Sequence, residues 1–272
     1  MRKYYTRACN FYYGAVARKL IKQKLAFPLC GNKNIAFDNI EILSREKKKR
    51  LISIKNIKKL PNNIKKIISK DLKKITSKRK NLSKYTNISK PLIMGVLNLT
   101  PDSFSDGGLY NQFKKAFTRI NYMISKGADI IDIGGESTRP GSKDIPHKVE
   151  WKRLEKIVFN FKKKFPKIFL SIDTRKSEVM LKAIKYKSDL INDVSGFNYD
   201  QKAIDKIKNY DIWKVLHHMQ GNPATMQVKP SYKNVLLDIY DFFEKKINID
   251  FKNTKYKKFI IDPGIGFGKN LK

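Results

Sequence analysis

From residue 91 onward, short apolar runs alternate with amphipathic segments. The apolar runs are residues 92–97, 130–133, 168–172, 190–191, 213–216 and 259–261. Between the first two runs, Phe113, Phe117, Ile120 and Ile124 follow a helical period, and Gly127 stands just past them. The repeated order of strand, loop and helix predicts a parallel sheet with helical crossovers. Because the runs are too apolar to alternate between polar and apolar residues, we expect these strands to be covered on both faces.

Each apolar run is followed by polar and glycine-rich sequence. The segments are NLTPDSFSDGG at 98–108, GGESTRPG at 134–141, DTR at 173–175, NDVSG at 192–196, HHMQG at 217–221 and DPGIGFGK at 262–269. Such sequence at successive strand ends is typical of the active face of a (β/α)8 TIM barrel. A doubly wound sheet is the alternative, but no GxGxxG fingerprint follows the first strand. We predict an α/β TIM barrel with about six of its eight β/α units present, in a domain spanning residues 91–272.

Residues 1–90 have a different texture and contain no catalytic constellation. Residues 8–24 are compatible with a short basic helix, and residues 26–30 and 34–43 with a hairpin around Gly31. Lysine runs recur from residue 44 to 90, where apolar residues are sparse apart from a helical stripe around Pro61. We interpret residues 1–90 as a basic extension or linker, without assigning a role to it.

The chain is strongly basic, with 59 Lys and Arg against 24 Asp and Glu in 272 residues. Residues 1–90 carry 26 basic and 4 acidic residues, a net charge of +22. Such an excess can indicate nucleic acid, anionic lipid or anionic substrates. Lys, Ile and Asn are abundant together along the whole chain, and no aromatic-rich single-strand binding motif accompanies the charge. We therefore interpret the charge as compositional and expect no nucleic-acid partner.

Cysteine content and hydropathy bear on the cellular compartment in which we expect the protein. The two cysteines, Cys9 and Cys30, do not make a disulfide framework, so a reducing compartment is the default expectation. No apolar stretch approaches the ~18 residues needed to span a bilayer. The first acidic residue is Asp38, which leaves an organelle transit peptide open, although the tyrosine-rich, serine-poor N-terminus argues against one. We expect a cytoplasmic protein without membrane contact.

Six motifs in the barrel region resemble those of the dihydropteroate synthase family. They are MGVLNLTPDSFSDGG, GADIIDIGGESTRPG, SIDTRK, INDVSG, HMQGNPATMQ and DPGIGFGK, in that order. The resemblance covers residues 91–272. It implies an enzyme that joins 6-hydroxymethyl-7,8-dihydropterin diphosphate to p-aminobenzoate, giving 7,8-dihydropteroate and pyrophosphate with the help of Mg²⁺. It also leaves open a homodimer.

The pterin-binding residues follow from this resemblance and from the chemistry of the ring. A pterin presents adjacent N–H donors, which a carboxylate accepts side by side. Asp173 and Asp262 stand at strand ends where they can do this, and Asn192 can both donate and accept. Met219 and Phe267 offer apolar surface to the flat ring. The alternative for a strand-end Asp is a helix N-cap, and Met219 and Phe267 are equally compatible with a core.

The same resemblance accounts for the polar and glycine-rich composition of the first loop, residues 98–108. Asn98 would help to hold Mg²⁺ and the diphosphate, Asp106 would face the positive charge that develops on the pterin methylene, and Phe104 would line the aminobenzoate pocket. Gly107 and Gly108 would let the backbone move. An ordinary surface turn accounts for the Asp-Gly-Gly sequence but not for the preceding Asn-Leu-Thr-Pro.

The second loop and a histidine pair complete the candidates. By resemblance, Arg139 would offer a cation for the diphosphate, and Pro140 would pack on the aminobenzoate ring. Thr138, from the same loop, would help to bind the diphosphate and p-aminobenzoate. Asp106, Asn98 and Arg139 are the catalytic candidates. His217 and His218 end the fifth strand, but one pair without further ligands is a weak metal signal, so we interpret them as pocket wall or core.

Two alternative functions remain besides that of the synthase. A pterin-binding methyltransferase uses a similar barrel, but the Thr-Pro-Asp-Ser-Phe-Ser-Asp-Gly-Gly loop favours the synthase. A non-catalytic protein with a nucleic-acid-binding basic region is the other alternative, and it predicts nucleic-acid binding that weakens as the salt concentration rises.

The family has two further strands, carrying Ser-Arg-Lys and Arg-x-His motifs, which this sequence does not contain. We therefore expect a chain that stops at Lys272 to be poorly soluble and inactive by itself.

Overall fold

The computed structural model describes residues 4–100, 109–137, 144–221 and 225–270, with side chains from residue 113 onward in the helix that begins at Leu109. The predicted site residues Phe104, Asp106, Thr138, Arg139 and Pro140 lie outside the described residues. The chain forms two compact units. One comprises residues 4–81 with Asn234–Leu237, and the other comprises the remainder from Leu82 onward. The first boundary precedes the predicted one at residue 90.

The first unit contains a four-stranded antiparallel sheet. Strand β3 pairs with β1, β2 and β4. The elements are β1 (Tyr5–Tyr13), α1 (Gly14–Lys22), β2 (Phe27–Leu29), β3 (Asn32–Leu43), β4 (Arg50–Ser53), a 3-10 helix (Ile54–Lys59) and α2 (Asn62–Thr76). The hairpin around Gly31 is confirmed, and Gly31 has the positive φ (+71°) that its turn requires.

Two expectations for this unit differ from the structure. The predicted helix over 8–24 begins only at Gly14, because the tyrosine- and phenylalanine-rich β1 pairs with β3 along its length. The predicted linker contains β4 and α2, which belong to the folded unit. The apolar stripe of α2, including Ile64 and Ile68, is buried with Phe37 of β3. Sparse apolar residues suffice here because they fall on one helix face.

The second unit contains six parallel strands in sequential order, as the apolar runs predicted. The strands are β5 (Met94–Asn98), β6 (Ile130–Gly134), β7 (Phe169–Asp173), β8 (Leu190–Asp193), β9 (Trp213–His217) and β10 (Phe259–Asp262). A helix follows each of the first five strands. The helices are α3 (Leu109–Ser125), α4 (His147–Lys164), α5 (Ser177–Lys185), α6 (Ala203–Ile207) and α7 (Val235–Lys245), with a π-helix at Lys246–Asp250. This is the strand and helix order of a TIM barrel over five β/α units and a sixth strand.

Both faces of the parallel sheet are covered near its amino ends, and one face becomes polar toward its carboxyl ends. On one face, Ile131, Ile133 and Leu170 pack with residues of the helices in the largest apolar cluster. On the other, Ile130 and Phe169 belong to a smaller apolar cluster. Moving along this second face, the side chains change to a carboxylate, hydroxyl and amide set: Asp132, Ser171, Asp173, Asn192 and Asn98. The polar set defines where a ligand can be recognised. In the described part of the chain, no helix combines the length and apolarity needed to cross a bilayer.

Candidate functional site

A row of strand-end residues places three of the predicted site residues on neighbouring strands. In register, Asn98 pairs with Gly134, Gly134 with Asp173, and Asp173 with Asn192. A Cβ atom at Gly134 would lie 3.3 Å from Oδ1 of Asn98 and 3.4 Å from Oδ2 of Asp173. The two oxygens therefore converge over the backbone of Gly134, where glycine leaves room for both. The structure brings Asn98, Asp173 and Asn192 together. We call these three residues, with Gly134 between them, the polar row.

Asp132 is an acid of this site that sequence reasoning missed. Its Oδ2 accepts a hydrogen bond of 3.0 Å from Nδ2 of Asn192, and the residue is only 3% exposed. Burial raises the pKa of Asp132. Burial also raises the pKa of Asp173 well above its ordinary value, with further contributions from the negative charges of Asp132 and Asp193. A ligand that presents N–H donors would offset this mutual repulsion, so the cluster is suited to a donor edge.

The Asp193 carboxylate stabilises the turn after β8 by accepting hydrogen bonds within it. Its carboxylate accepts from Ser195 N at 2.8 Å, Ser195 Oγ at 2.7 Å and Phe197 N at 3.1 Å. Burial nevertheless raises its pKa to about 6. The same turn needs Gly196, since a Cβ there would lie 2.4 Å from the carbonyl oxygen of His217. Asp193 thus shapes the loop, while its neighbour Asn192 points to Asp132.

The loop after β10 brings Asp262 and Phe267 to the next strand pair. Asp262 pairs in register with His217, and its Oδ1 accepts from the backbone N–H of Gly264 at 2.8 Å. One of its two carboxylate oxygens therefore caps the turn after β10. The ring of Phe267 meets that of His217 edge to face, with centroids 4.7 Å apart. Met219 is half-buried, two residues past the end of β9.

The two histidines are buried and neutral, which agrees with a wall or core role. His217 Nδ1 lies 2.6 Å from the carbonyl oxygen of Val194, so this nitrogen carries the proton. Burial lowers the pKa of both histidines, that of His218 to about 4 with the help of the Lys269 charge. Among the described residues, no three His, Cys, Asp or Glu side chains are arranged to hold a metal ion.

An ion cluster centred on the buried Lys176 was also missed. Lys176 Nζ lies 2.7 Å from Glu136 Oε1, 3.2 Å from Glu150 Oε2 and 3.1 Å from Asp144 Oδ1. Arg175 pairs with Glu136 Oε2 at 2.9 Å. The cluster ties the loop after β6 and the start of α4 to the loop after β7. Its sequence signal was the charged residues that follow two neighbouring strand ends, which parallel strands place at one edge.

Oxygen atoms at the row are of the kind that Mg²⁺ prefers. Magnesium takes carboxylate and amide oxygens and usually keeps several waters or substrate oxygens. Asn98, the predicted ligand, is exposed, and its Oδ1 stands beside the Asp173 carboxylate over Gly134. The donor set therefore fits the ion, with Asn98 as the residue that would hold it.

Comparison with known proteins agrees with this geometry. The family described as pterin binding enzymes matches residues 94–272. Dihydropteroate synthase of Escherichia coli K12 is 39% identical over 186 residues, which cover 68% of this chain and 65% of that protein. The chain thus spans about two thirds of the length of this relative. The sequence evidence places the likeness on the barrel unit.

Solved structures show the same likeness in three dimensions. The Yersinia pestis dihydropteroate synthase, in complex with a sulfonamide drug, has a TM-score of 0.62 at 39% identity over 68% of this chain and 67% of its own. The Burkholderia cenocepacia enzyme, in complex with 7,8-dihydropteroate, has a TM-score of 0.58 at 37% identity over 68% and 62%. The chain therefore belongs to the dihydropteroate synthase family of pterin-binding enzymes.

Proposed function

We propose that the protein is a dihydropteroate synthase, a transferase of folate biosynthesis. In this reaction the amine of p-aminobenzoate forms a C–N bond to the methylene of dihydropterin diphosphate, the C–O bond to diphosphate breaks, and the amine loses a proton. The observation that carries the proposal is the polar row over Gly134, where Asn98, Asp173 and Asn192 meet. The relatives described above are synthases, so neither the methyltransferase nor the nucleic-acid alternative gains support.

The pterin is proposed to bind along the buried side of the row. Asp173 would accept from the donor edge of the ring, because burial and the neighbouring negative charges raise its pKa and N–H donors would stabilise its carboxylate. The Asn192 amide is oriented by Asp132, which leaves its Oδ1 as an acceptor for the ligand. Asp262 would use the part of its carboxylate that does not hold Gly264. Phe267, held against His217, and Met219 would supply apolar contact.

The diphosphate and aminobenzoate are proposed to bind at the open end of the row. Asn98 would hold Mg²⁺, which supplies positive charge for the diphosphate when it is bound. Asp106 would face the developing cation, Arg139 and Thr138 the diphosphate, and Phe104 and Pro140 the aminobenzoate. These five positions rest on the sequence resemblance. The cytoplasmic location and the homodimer also stay predictions.

The direct test is product formation by the intact gene product. Dihydropterin diphosphate and p-aminobenzoate should yield 7,8-dihydropteroate and pyrophosphate in equal amounts, with dependence on Mg²⁺. Omitting p-aminobenzoate is the control for simple hydrolysis. Asp106→Asn should lower kcat far more than it raises KM, because the cation exists only near the transition state. Absence of product at saturating substrate, with the protein folded, would overturn the proposal.

A further inference from the structure

Lys269, the last residue of the DPGIGFGK motif, reaches back into the protein. Its Nζ lies 2.9 Å from the carbonyl oxygen of Phe267, 3.1 Å from Nδ1 of His218 and 3.2 Å from the carbonyl oxygen of His218. An ammonium group has three protons to donate, and these three acceptors match them. The residue is half-buried. Its charge is therefore used within the protein, between the loop after β10 and the end of β9.

The contact to His218 fixes the state of that ring. Because an ammonium group can only donate, Nδ1 of His218 accepts, and the imidazole is neutral with its proton on Nε2. His218 is 7% exposed, and its ring packs edge to face on Phe242 at a centroid distance of 4.8 Å. Burial and the Lys269 charge lower the His218 pKa to about 4. His218 is thus a fixed acceptor throughout the neutral range.

Two further side chains hold the backbone of the same loop. The hydroxyl of Tyr232 donates to the carbonyl oxygen of Gly268 at 2.7 Å, and Nε2 of Gln227 donates to that of Gly266 at 2.5 Å. Gly268 has a φ of +63°, and a Cβ there would lie 3.0 Å from the carbonyl oxygen of Gln220. Donors on Gln227, Lys269 and Tyr232 therefore hold the backbone carbonyl oxygens of residues 266, 267 and 268, which are those of Phe267 and of its two neighbours in the chain.

We propose that Lys269 is a positioning residue for ligand recognition: by tying the Phe267 carbonyl to His218, it holds the Phe267 ring against His217 as a wall for a flat heterocycle. This role rests on the proposed function, which makes that heterocycle a pterin. Lys269 itself would not contact the ligand, because its three donors face protein acceptors. Without the ammonium group, the Phe267 carbonyl and His218 lose their shared donor, and the ring wall loosens.

The test compares Lys269→Met, which keeps the length of the side chain and removes its donors, with Lys269→Arg, which restores charge and donors. Calorimetric titration of the intact protein with 6-hydroxymethylpterin should show about tenfold weaker binding for Lys269→Met, as expected for one lost charged hydrogen bond. Lys269→Arg should recover part of the affinity. Lys257→Met, at an exposed lysine before β10, is the matched control and should bind as the wild type does.

A second readout separates positioning from general destabilisation. The His218 pKa, measured by NMR, should rise in Lys269→Met toward the ordinary value near 6.5, because a neighbouring positive charge has been removed. Unchanged pterin affinity in Lys269→Met would overturn the positioning role. If Lys269→Met does not fold, Tyr232→Phe takes its place. That variant removes only the hydroxyl held on Gly268 and should weaken binding about threefold, as expected for loss of one neutral hydrogen bond. Wild-type affinity in it would overturn the role.

Failure of the proposed function gives a different result. If the wild-type protein does not bind the pterin at all, while Lys269→Met still raises the His218 pKa, the loop contact stands and the identity of the heterocycle is wrong. If the His218 pKa also stays unchanged, the contact itself is absent.

Discussion

Nδ2 of Asn192 on β8 donates to Oδ2 of Asp132 on β6 at 3.0 Å, across the intervening strand β7. The bond shows that the two side chains project from the same face of the sheet. It also joins a predicted ligand-binding amide to an acid that lies inside an apolar strand. We interpret Asp132 as the residue that orients Asn192 for the ligand.

Replacing Asp132 should affect ligand binding more than stability. In Asp132→Ala the Asn192 amide loses its partner, and pterin affinity should fall about tenfold, equivalent to ~1.4 kcal/mol. The free energy of unfolding should change by only about 1 kcal/mol, because the lost hydrogen bond is offset by removal of a buried carboxylate. Calorimetry and urea denaturation measure the two effects. The surface variant Asp205→Ala should change neither, and an Asp132→Ala variant with full affinity would refute the orienting role.

Gly264 and Gly266 form a natural pair of controls in the loop after β10. A Cβ at Gly264 would lie 2.0 Å from the carbonyl oxygen of His218, whereas one at Gly266 meets no atom within 4 Å. Both have positive φ, +65° and +88°. Gly264→Ala should therefore lower the free energy of unfolding by about 3 kcal/mol, from strain and overpacking together. Gly266→Ala should cost about 1 kcal/mol from strain alone. Equal effects in urea denaturation would show that a Cβ at Gly264 is accommodated without a clash against His218.

Lys176 should be far more important for stability than an exposed lysine in an ion pair. It is 8% exposed and forms ion pairs with Glu136, Glu150 and Asp144. Lys176→Met leaves these carboxylates without that cation, so the free energy of unfolding should fall by about 3 kcal/mol or more. Lys206→Met removes an exposed pair with Glu178 and should cost less than about 1 kcal/mol. Thermal or urea denaturation of both variants measures the two costs. A Lys176→Met variant as stable as Lys206→Met would show that the ion cluster around Lys176 does not stabilise the fold.

The depressed pKa of His218 predicts a loss of stability in acid. The folded value is about 4, below the ordinary value of 6.5, so the unfolded chain binds more protons between these values. Stability is fully present above pH 6.5 and is lost as the pH falls toward 4. From pH 7 to pH 4 the wild type should lose about 3 kcal/mol relative to His218→Asn, which keeps an acceptor but does not titrate.

Comparison with the variant is essential because Asp193 acts in the opposite sense. Its folded pKa of about 6 lies above its ordinary value, so its contribution favours the folded state at low pH and is lost as the pH rises. This contribution is common to wild type and His218→Asn and cancels in the difference. Urea denaturation at several pH values gives that difference, and one that does not vary with pH would mean that His218 titrates normally.

Sequence periodicity predicted the parallel sheet because its signal is local. Each of the six apolar runs became a strand, and the polar segments that follow them lie at the strand carboxyl ends. Asp173, Asn192 and Asn98 could be placed together for the same reason: parallel strands carry their ends to one edge. The failure at β1 is also local, since the residues before Gly14 suit either element and pairing with β3 decided between them.

Asp132 and the Lys176 cluster could not be identified in the same way. Asp132 stands within the apolar run at 130–133, where a single polar residue does not alter the strand prediction, and its importance depends on Asn192 two strands away. Lys176 was part of a basic chain in which most lysines are solvated. Its burial follows from the carboxylates that the loop after β6 and helix α4 bring to it, which is information on tertiary contacts.

Recognition of a pterin by the polar row is tested by calorimetric titration with 6-hydroxymethylpterin. The wild-type intact protein should bind one pterin per barrel unit. Asp173→Asn and Asp262→Asn should each bind about ten- to a hundredfold more weakly, since a charged hydrogen bond contributes about 1.5–3 kcal/mol. The Asn at position 262 keeps an oxygen for the Gly264 N–H, so the loop should stay in place. Pterin affinity that is unchanged in both variants would show that the polar row does not bind a pterin through these carboxylates.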